Sequence, residues 1–420
     1  MKILFIHEVD YLAKVIYEIH EFPEHLASRG HDITFIDFPE SLKAPNWASS
    51  RRNRFIHGRV LPNVTLRLIS PFVPNGGILG RLLATVTFIP ALLRQLIWNR
   101  PDVIALYAVP TYGWQTIFIA KCLRVPVMYR ALDVSHEINQ SIFNPLIRHA
   151  ERYIYKRAQH LSANNQAIAD YCISTSGRRL STAVNLPLID VQGFKELQHE
   201  YPHVNRKDLG IPATSQVICY MGSFFYFSGL PATMRRFREL ANPDRSLFFL
   251  LIGGGEQDEE LRHLVMDLGL QDEVLFTGFV PFAELPAYLR LADVAINPME
   301  IRQVSNLALP HKVIQYVASG VPAISTRLTG LYSVFGEKSG IIWADTPEDT
   351  VDKALEVIQS GNIRAVAMKQ AQFLNQTFEL DSVIDSFVRS LIVAQSSNCE
   401  QTCQAQSGDE SPKGSNQPVN

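Results

Sequence analysis

The chain has 420 residues, of which 46% are hydrophobic and 19% are charged. This length allows two domains with sizeable cores, and the composition excludes a disordered, collagen-like or coiled-coil protein. A formal net charge of −2 gives no electrostatic reason to expect a nucleic-acid partner. The five cysteines have no metal-binding spacing, which indicates reduced thiols in a cytosolic compartment.

The first half of the chain alternates short apolar runs with helical segments. We predict helices over 12–29 and from Trp114, and strands at 3–6, 33–37, 103–107 and 125–131. The opening apolar run is too short for a signal peptide, so it is predicted to be the first strand. Short, wholly apolar strands separated by helices are typical of a parallel sheet covered on both faces.

Positive charge is concentrated in this first half. Residues 1–180 hold 21 Lys and Arg against 13 Asp and Glu, and between Glu40 and Asp102 there are nine basic residues and no acidic one. Inside this stretch lies an apolar segment, 78–98, whose central Arg and Pro residues argue against a membrane-spanning helix. Two alternatives remain: a helix lying on an anionic membrane surface, or a buried helix with an Arg-rich edge.

The second half repeats the alternation, with predicted strands at 217–221, 246–252, 273–279, 293–298 and 321–326. The fold class is therefore α/β, with two doubly wound Rossmann-like domains facing a cleft. We place the domains at 1–190 and 213–375, joined by a linker at 191–212. We expect the helix at 376–395 to pack back on the first domain, and the Gln- and Ser-rich residues 396–420 to be disordered.

The sequence lacks the motifs of several large enzyme classes. The sequence has no G-x-G-x-x-G, no P-loop and no G-x-S-x-G, which removes the motifs of dehydrogenases, P-loop NTPases and α/β-hydrolases. No two aspartates stand two positions apart, so the simplest carboxylate pair for holding a metal on a nucleotide is missing. We expect neither a metal nor a cofactor.

Two glycine- or proline-marked turns could bind an anion. Gly253, Gly254 and Gly255 lie between a strand and a helix, where backbone N–H groups can point at a phosphate; a plain tight turn is the alternative. Pro310 is predicted to start a helix with Leu309 and Lys312 in its first turn, where the helix dipole favours a diphosphate. Lys312 and Gln315 share one helix face, although Lys312 could also be a solvated surface lysine.

Segments 219–230, 251–298 and 306–326, together with 29–37, 100–107 and 125–137, resemble the retaining GT-B glycosyltransferases of family 4 (group 1). The resemblance implies transfer of a hexose from a nucleotide diphosphate sugar to a hydroxyl acceptor, with retention of configuration. It implies that Phe279 and Val280 hold the base, and that Gly222 and Ser223 line the donor site.

The chain departs from the family pattern at several positions. Gln315 stands where the family has a ribose-binding Glu, Leu307 replaces a second Glu, and Ser223 and Ser228 replace an Arg and a Lys. Gln315 is a neutral and weaker acceptor than Glu. Arg302 and Lys312 are the candidates to supply the missing positive charge.

On the acceptor side, the resemblance places Leu132 where the family has a catalytic His. Asp133 and Glu137 match family positions, and with His136 they are our candidate catalytic residues; Asp133 as a loop N-cap is the alternative. Arg130, His7 and Glu8 are candidates to lie nearby.

The basic first half suggests a sugar or lipid-linked acceptor, such as a polysaccharide precursor, for a cytoplasmic protein peripheral to the inner membrane face. A GT-B protein that binds nucleotide sugar without catalysis, and a nucleotide-sugar epimerase, are the alternative functions.

Overall fold

The computed structural model describes residues 1–39, 52–72, 77–138, 143–177, 182–241 and 246–407. It contains two sheets, each covered by helices on both faces, as predicted. The larger sheet has eight strands in the order β3-β4-β2-β1-β5-β6-β7-β8. Its strands are β1 Lys2–Ile6, β2 Asp32–Ile36, β3 Arg52–His57, β4 Thr65–Ser70, β5 Val103–Leu106, β6 Val127–Ala131, β7 His160–Ala163 and β8 Thr182–Val184.

The helices of this first domain are α1 Glu18–Ser28, α2 Gly77–Arg94, α3 Gly113–Leu123, α4 Ser135–Ile138, α5 Asn144–Arg157 and α6 Gln166–Ser176. A π-helical turn, Gln95–Asn99, continues α2. β1, β5 and β6 pair in parallel, so their carboxyl ends lie along one edge of the sheet. In such sheets ligands bind at that edge.

The predicted first helix, 12–29, is corrected by the structure. Asp10 Oδ1 accepts hydrogen bonds from the backbone N–H groups of Leu12 and Ala13, which holds this segment in a turn. The helix α1 therefore begins only at Glu18. An Asx-type turn competes directly with the helical hydrogen bonds that the apolar spacing favours.

The second sheet has six parallel strands in the order β11-β10-β9-β12-β13-β14. They are β9 Gln216–Ser223, β10 Leu247–Gly254, β11 Val274–Gly278, β12 Val294–Asn297, β13 Ala323–Thr326 and β14 Ile342–Ala344. The linking and covering helices are α7 Val191–Glu196, α8 Leu230–Leu240, α9 Asp258–Asp267, α10 Leu285–Leu289, α11 Gln303–Asn306, α12 His311–Ala318, α13 Thr329–Phe335, α14 Pro347–Gln359 and α15 Ile363–Thr377.

The last helix, α16 Leu380–Ser407, packs on the first domain. Its Phe387 ring stacks on Phe22 of α1 with the centroids 4.0 Å apart. The helix extends beyond residue 396, where we expected the disordered tail to begin, and the Ser396 and Ser397 hydroxyls donate hydrogen bonds to carbonyls one turn back. Residues 408–420 lie outside the described part of the chain.

Helix α2 and the π-turn have one buried stripe, formed at four-residue spacing by Ala84, Phe88, Leu92 and Leu96. Phe88 stacks on Tyr112 with the ring centroids 4.0 Å apart. Among the described residues, Gly80–Asn99 is the one helical segment that is long and apolar enough to cross a membrane, with a mean hydropathy of 1.3. The buried stripe on one side of the segment therefore belongs to the first domain's core.

Candidate functional site

The two domains meet along a cleft at the carboxyl edges of their sheets. Asn165 at the start of α6 donates a hydrogen bond to the Leu307 carbonyl across this junction, at 3.0 Å. On the other side of the junction, His311 Nε2 lies 3.3 Å from the carbonyl oxygen of Leu188, in the segment that leaves the first domain. Residues of both domains therefore contribute to the cleft.

Helix α12 begins at the carboxyl end of β9. Its Tyr316 hydroxyl accepts a hydrogen bond from the Met221 backbone N–H at 2.7 Å, which fixes the helix against the strand. Pro310 is the residue before the first helical turn, and that turn contains no acidic residue. Its N–H groups and the helix dipole therefore favour an anion at this point.

Lys312 is the cation at this helix start. Its Nζ donates to the Tyr220 hydroxyl at 2.8 Å and lies 4.1 Å from the centre of that ring. Burial lowers the pKa of Lys312 to about 7. Lys312 is therefore a desolvated amine that gains and loses its proton near neutral pH, and no carboxylate among the described residues pairs with it.

Glycines keep the floor of the cleft free of side chains. Gly222 has a φ of +133°, and a Cβ there would lie 3.1 Å from Lys312 Nζ. Gly253 pairs with Gly222 and Gly254 with Ser223 at the ends of neighbouring strands. A side chain at Gly222 or Gly253 would collide with Lys312 or with the facing strand.

The Gly253–Gly255 turn is less suited to an anion than the sequence suggested. The helix after it, α9, opens with Asp258, Glu259 and Glu260, whose carboxylates already complement the helix dipole. The Phe279 ring covers Gly254, with its Cε2 3.3 Å from where a Cβ would stand, and 62% of Phe279 is exposed. Val280 is partly buried against the second core.

Three other predicted donor residues have different surroundings. The Leu309 side chain is buried in the core of the second domain, so only its backbone is available to a ligand. Gln315 is buried on α12, 6% exposed. Arg302 pairs with Glu300 at 2.6 Å, and its guanidinium lies 5.4 Å from the centre of the Tyr226 ring.

The candidate catalytic residues follow β6. Burial and the nearby charge of Glu18 raise the pKa of Asp133 to about 6. Within α4, His136 Nδ1 lies 2.6 Å from the buried Glu151 Oε2, and its Nε2 lies 3.3 Å from Glu137 Oε1. The His136 ring is thus held between two carboxylates, whereas Asp133 has the raised pKa of a candidate proton acceptor.

Sequence reasoning missed two acidic residues of α1 that face this region. Glu18 forms a buried two-point ion pair with Arg130, with Oε1–Nε and Oε2–Nη2 distances of 2.9 Å. Glu21 Oε2 has no hydrogen-bond partner among the residues that the structure describes, and it lies 3.8 Å from His311 Nε2. Amphipathic spacing could not have identified them, because residues 18–26 of α1 are all buried and no polar side marks the positions that face the cleft.

His7 and Glu8, expected near the cleft, follow β1. Glu8 Oε1 accepts hydrogen bonds from the Thr111 and Tyr112 backbone N–H groups, at 2.8 and 2.7 Å, at the start of α3. His7 stacks on Tyr107 with the ring centroids 5.5 Å apart, and burial lowers the pKa of His7 to about 3. Glu8 therefore organises the cleft wall, and His7 is neutral.

The described residues contain no group of three or more His, Cys, Asp or Glu placed to hold a metal ion.

The two domains match two families of known proteins. Residues 17–187 match the model of the glycosyl transferase 4-like domain, and residues 215–360 match the model of glycosyl transferases group 1. The first domain is thus similar to the 4-like glycosyltransferase domain, and the second is similar to the group 1 glycosyltransferases. The boundary between the two matches falls where the first sheet ends and the second begins.

Curated relatives agree with this assignment over part of their length. A 2-deoxystreptamine glucosyltransferase of Streptomyces kanamyceticus is 25% identical over 47% of this chain and 50% of that protein. A D-inositol 3-phosphate glycosyltransferase of Corynebacterium jeikeium is 27% identical over 52% of this chain and 53% of that protein. The chain spans about half the length of these relatives.

Solved structures show the fold of most of the chain. Sucrose-phosphate synthase of Thermosynechococcus elongatus superposes with a TM-score of 0.73 over 94% of this chain and 99% of that one, at 16% identity. Anabaena HepE in complex with UDP-glucose gives a TM-score of 0.68 over 93% and 99%, at 16% identity. The fold is GT-B, as the sequence predicted.

Proposed function

We propose that this protein transfers a hexose from a nucleotide diphosphate sugar to a hydroxyl acceptor, without a metal. Lys312 carries the proposal: it is a desolvated amine with no anionic partner among the described residues, at a helix start without acidic residues, in the cleft between the domains. A diphosphate supplies the negative charge that this arrangement lacks.

The donor is proposed to lie across the ends of β9 and β10. Lys312 and the first turn of α12, including the backbone of Leu309 and Pro310, contact the diphosphate, and Arg302 adds a second cation. Gly222, Ser223, Gly253 and Gly254 let the donor approach the sheet. Phe279 and Val280 face the base, and Gln315 accepts a hydrogen bond from the ribose. The UDP-glucose complex of HepE, a protein of the same fold, supports this donor class.

Asp133 is proposed as the group that takes the acceptor hydroxyl's proton, with His136 and Glu137 beside it. A carboxylate with a pKa of about 6 is ionised at neutral pH and still basic enough to accept a proton. Retention of configuration is proposed from the resemblance to family 4.

The acceptor is proposed to be a saccharide or lipid-linked hydroxyl, such as a polysaccharide precursor, at the cytoplasmic face of a membrane. The acid-free basic stretch between Glu40 and Asp102 supports an acceptor at an anionic surface.

A second candidate is a protein that binds nucleotide sugar without transferring it. Leu307 favours it, since this residue stands where the family has a sugar-associated Glu, and it packs against the core of the first domain. No polar group is therefore supplied at that position.

The test begins with a thermal-shift screen of the full chain against UDP, GDP and ADP sugars, because a ligand that binds the folded state raises the melting temperature. The stabilising donor is then incubated with lipid and saccharide acceptors, and released nucleoside diphosphate is measured. Acceptor-dependent release supports the transferase. Binding without release across the acceptor panel supports the second candidate, and stabilisation by none of the donors contradicts both.

A further inference from the structure

The outer side of helix α2 and its π-turn is apolar and faces solvent. The inner stripe described above is buried, whereas large hydrophobic side chains are exposed on the other side. We call this set, together with two residues of α3, the outer apolar face: Leu82, Leu83, Val86, Ile97, Trp98, Trp114 and Phe118. Their exposed fractions lie between 42% and 74%.

The two helices that carry this face are packed neighbours in the first domain. Helix α3 contacts both α2 and the π-turn, and Trp114 and Phe118 are one turn apart on it. Exposed hydrophobic residues are ordinary when they are scattered singly, but a cluster of this size marks an interaction site.

The charged residues within the two helical segments that carry the outer apolar face are all basic. Neither Gly77–Asn99 nor Gly113–Leu123 contains an acidic residue. Arg94, Arg100 and Lys121 are exposed on or next to these segments. A second copy of the chain would bring like charges together in a symmetric contact, whereas an anionic surface is complementary to them.

We infer that the outer apolar face docks on an anionic lipid bilayer and lies in its interfacial region. The segment does not cross the membrane, because Phe88, Leu92 and Leu96 on its inner side belong to the domain core. Tryptophan is suited to this depth, since it combines a large apolar ring with a polar N–H group. A bilayer at this face would bring the proposed lipid-linked acceptor close to the first domain. In that respect alone the inference rests on the proposed function.

The experiment measures lipid binding of the full chain without any transfer reaction. Wild type, Val86→Glu and Ile97→Glu are sedimented with phosphatidylcholine vesicles and with vesicles that also contain phosphatidylglycerol, at low and high salt. Met368→Glu is the matched control, because Met368 is 73% exposed on α15 of the other domain. Melting temperatures confirm that each variant is folded.

We expect wild type and Met368→Glu to bind the anionic vesicles at low salt, with binding reduced at high salt. Each of the other two variants should bind about tenfold more weakly or worse, since a charge replaces an inserting apolar group. Three results would overturn the inference. They are no vesicle binding by wild type, binding by Val86→Glu and Ile97→Glu as strong as that of wild type, or a loss of binding in Met368→Glu as large as in those two variants. A wild-type dimer that Val86→Glu dissociates, measured by light scattering, would instead assign the face to a second copy. Donor binding in the thermal-shift assay should be the same in all variants and in wild type. Donor binding therefore tests the transferase proposal, and vesicle binding tests the membrane contact separately.

Discussion

Glu21 of the first domain and His311 of the second face each other across the junction, with Oε2 and Nε2 3.8 Å apart. Burial and the neighbouring carboxylates Glu18, Asp190 and Glu24 raise the pKa of Glu21 well above its usual range. Burial lowers the pKa of His311. Both shifts favour the uncharged form of the residue, directly next to Lys312.

The raised pKa of Glu21 predicts how the stability of the folded protein depends on pH. A raised folded-state pKa means that the folded protein holds the proton more tightly, so the contribution of Glu21 to stability is lost as pH rises toward that pKa. Glu21→Gln, which keeps the shape of the protonated acid, should remove this part of the pH dependence. The slope removed is at most about 1.4 kcal/mol per pH unit for one proton.

Urea denaturation of both proteins between pH 5.5 and 8 measures the effect. If Glu21→Gln is less stable than wild type and the difference grows as pH rises, Glu21 is ionised in the folded protein and the prediction is wrong.

Lys312 predicts a pH-dependent donor affinity. A bound diphosphate raises the pKa of the ammonium above its unliganded value of about 7. Affinity should therefore be highest below pH 7 and fall as pH rises, with binding taking up a proton. Lys312→Ala should weaken binding at pH 6 by about 1.5–3 kcal/mol, the range for hydrogen bonds to charged groups.

Calorimetric titration with the donor found by thermal shift, in buffers of different ionisation enthalpy, gives both affinity and proton uptake. A nucleotide sugar is the better probe than a free nucleoside diphosphate, whose terminal phosphate titrates in the same range. Unchanged affinity in Lys312→Ala would remove Lys312 from the donor site.

Replacement of Asp133 should lower the rate of transfer without lowering the stability of the protein. Transfer should fall below a pH of about 6 as the carboxylate becomes protonated. Asp133→Asn should lower the transfer rate about 10²–10⁴-fold, the usual contribution of a general base. The same change should not lower the melting temperature at pH 8, because burial disfavours the ionised acid that it removes. A variant that keeps its activity would leave Asp133 with a structural role.

A substitution of Gln315 should raise the donor affinity, whereas Lys312→Ala should lower it. If its side-chain oxygen accepts a hydrogen bond from the ribose, Gln315→Glu should tighten donor binding by about 1 kcal/mol, since ionised acceptors form the stronger bonds. Gln315→Leu should weaken binding while the protein stays folded. Titration of the three proteins with one nucleotide sugar compares them, and weaker binding by the Glu variant would indicate an anionic ligand group close to position 315.

The parts of the fold that depend on local pattern could be predicted from the sequence. The apolar strands β1 and β10 and the start of α12 after Pro310 lie where the residues indicate. The antiparallel pair β3 and β4 was not predicted. Its outer strand is an exposed edge that carries Arg54 and Asn53, so it lacks the wholly apolar pattern of the buried strands.

The site was harder to predict because its groups come from distant parts of the chain. Glu18 and Arg130 are separated by 112 positions, yet they form one buried ion pair. Nothing local to either residue specifies the other. The surroundings of the Lys312 amine likewise include Tyr220, which the strand pattern identified only as a buried position. Motif spacing could locate the donor helix, but burial and pKa values required the tertiary structure.

The return of α16 to the first domain has a consequence for how the protein is made. Phe387 stacks on Phe22, and the helix shares a core with Phe5 and Leu188. During synthesis the domain that leaves the ribosome first must therefore keep the apolar residues that contact α16 uncovered until the second domain and α16 have been made. A chain that stops before Leu380 leaves those residues open to aggregation.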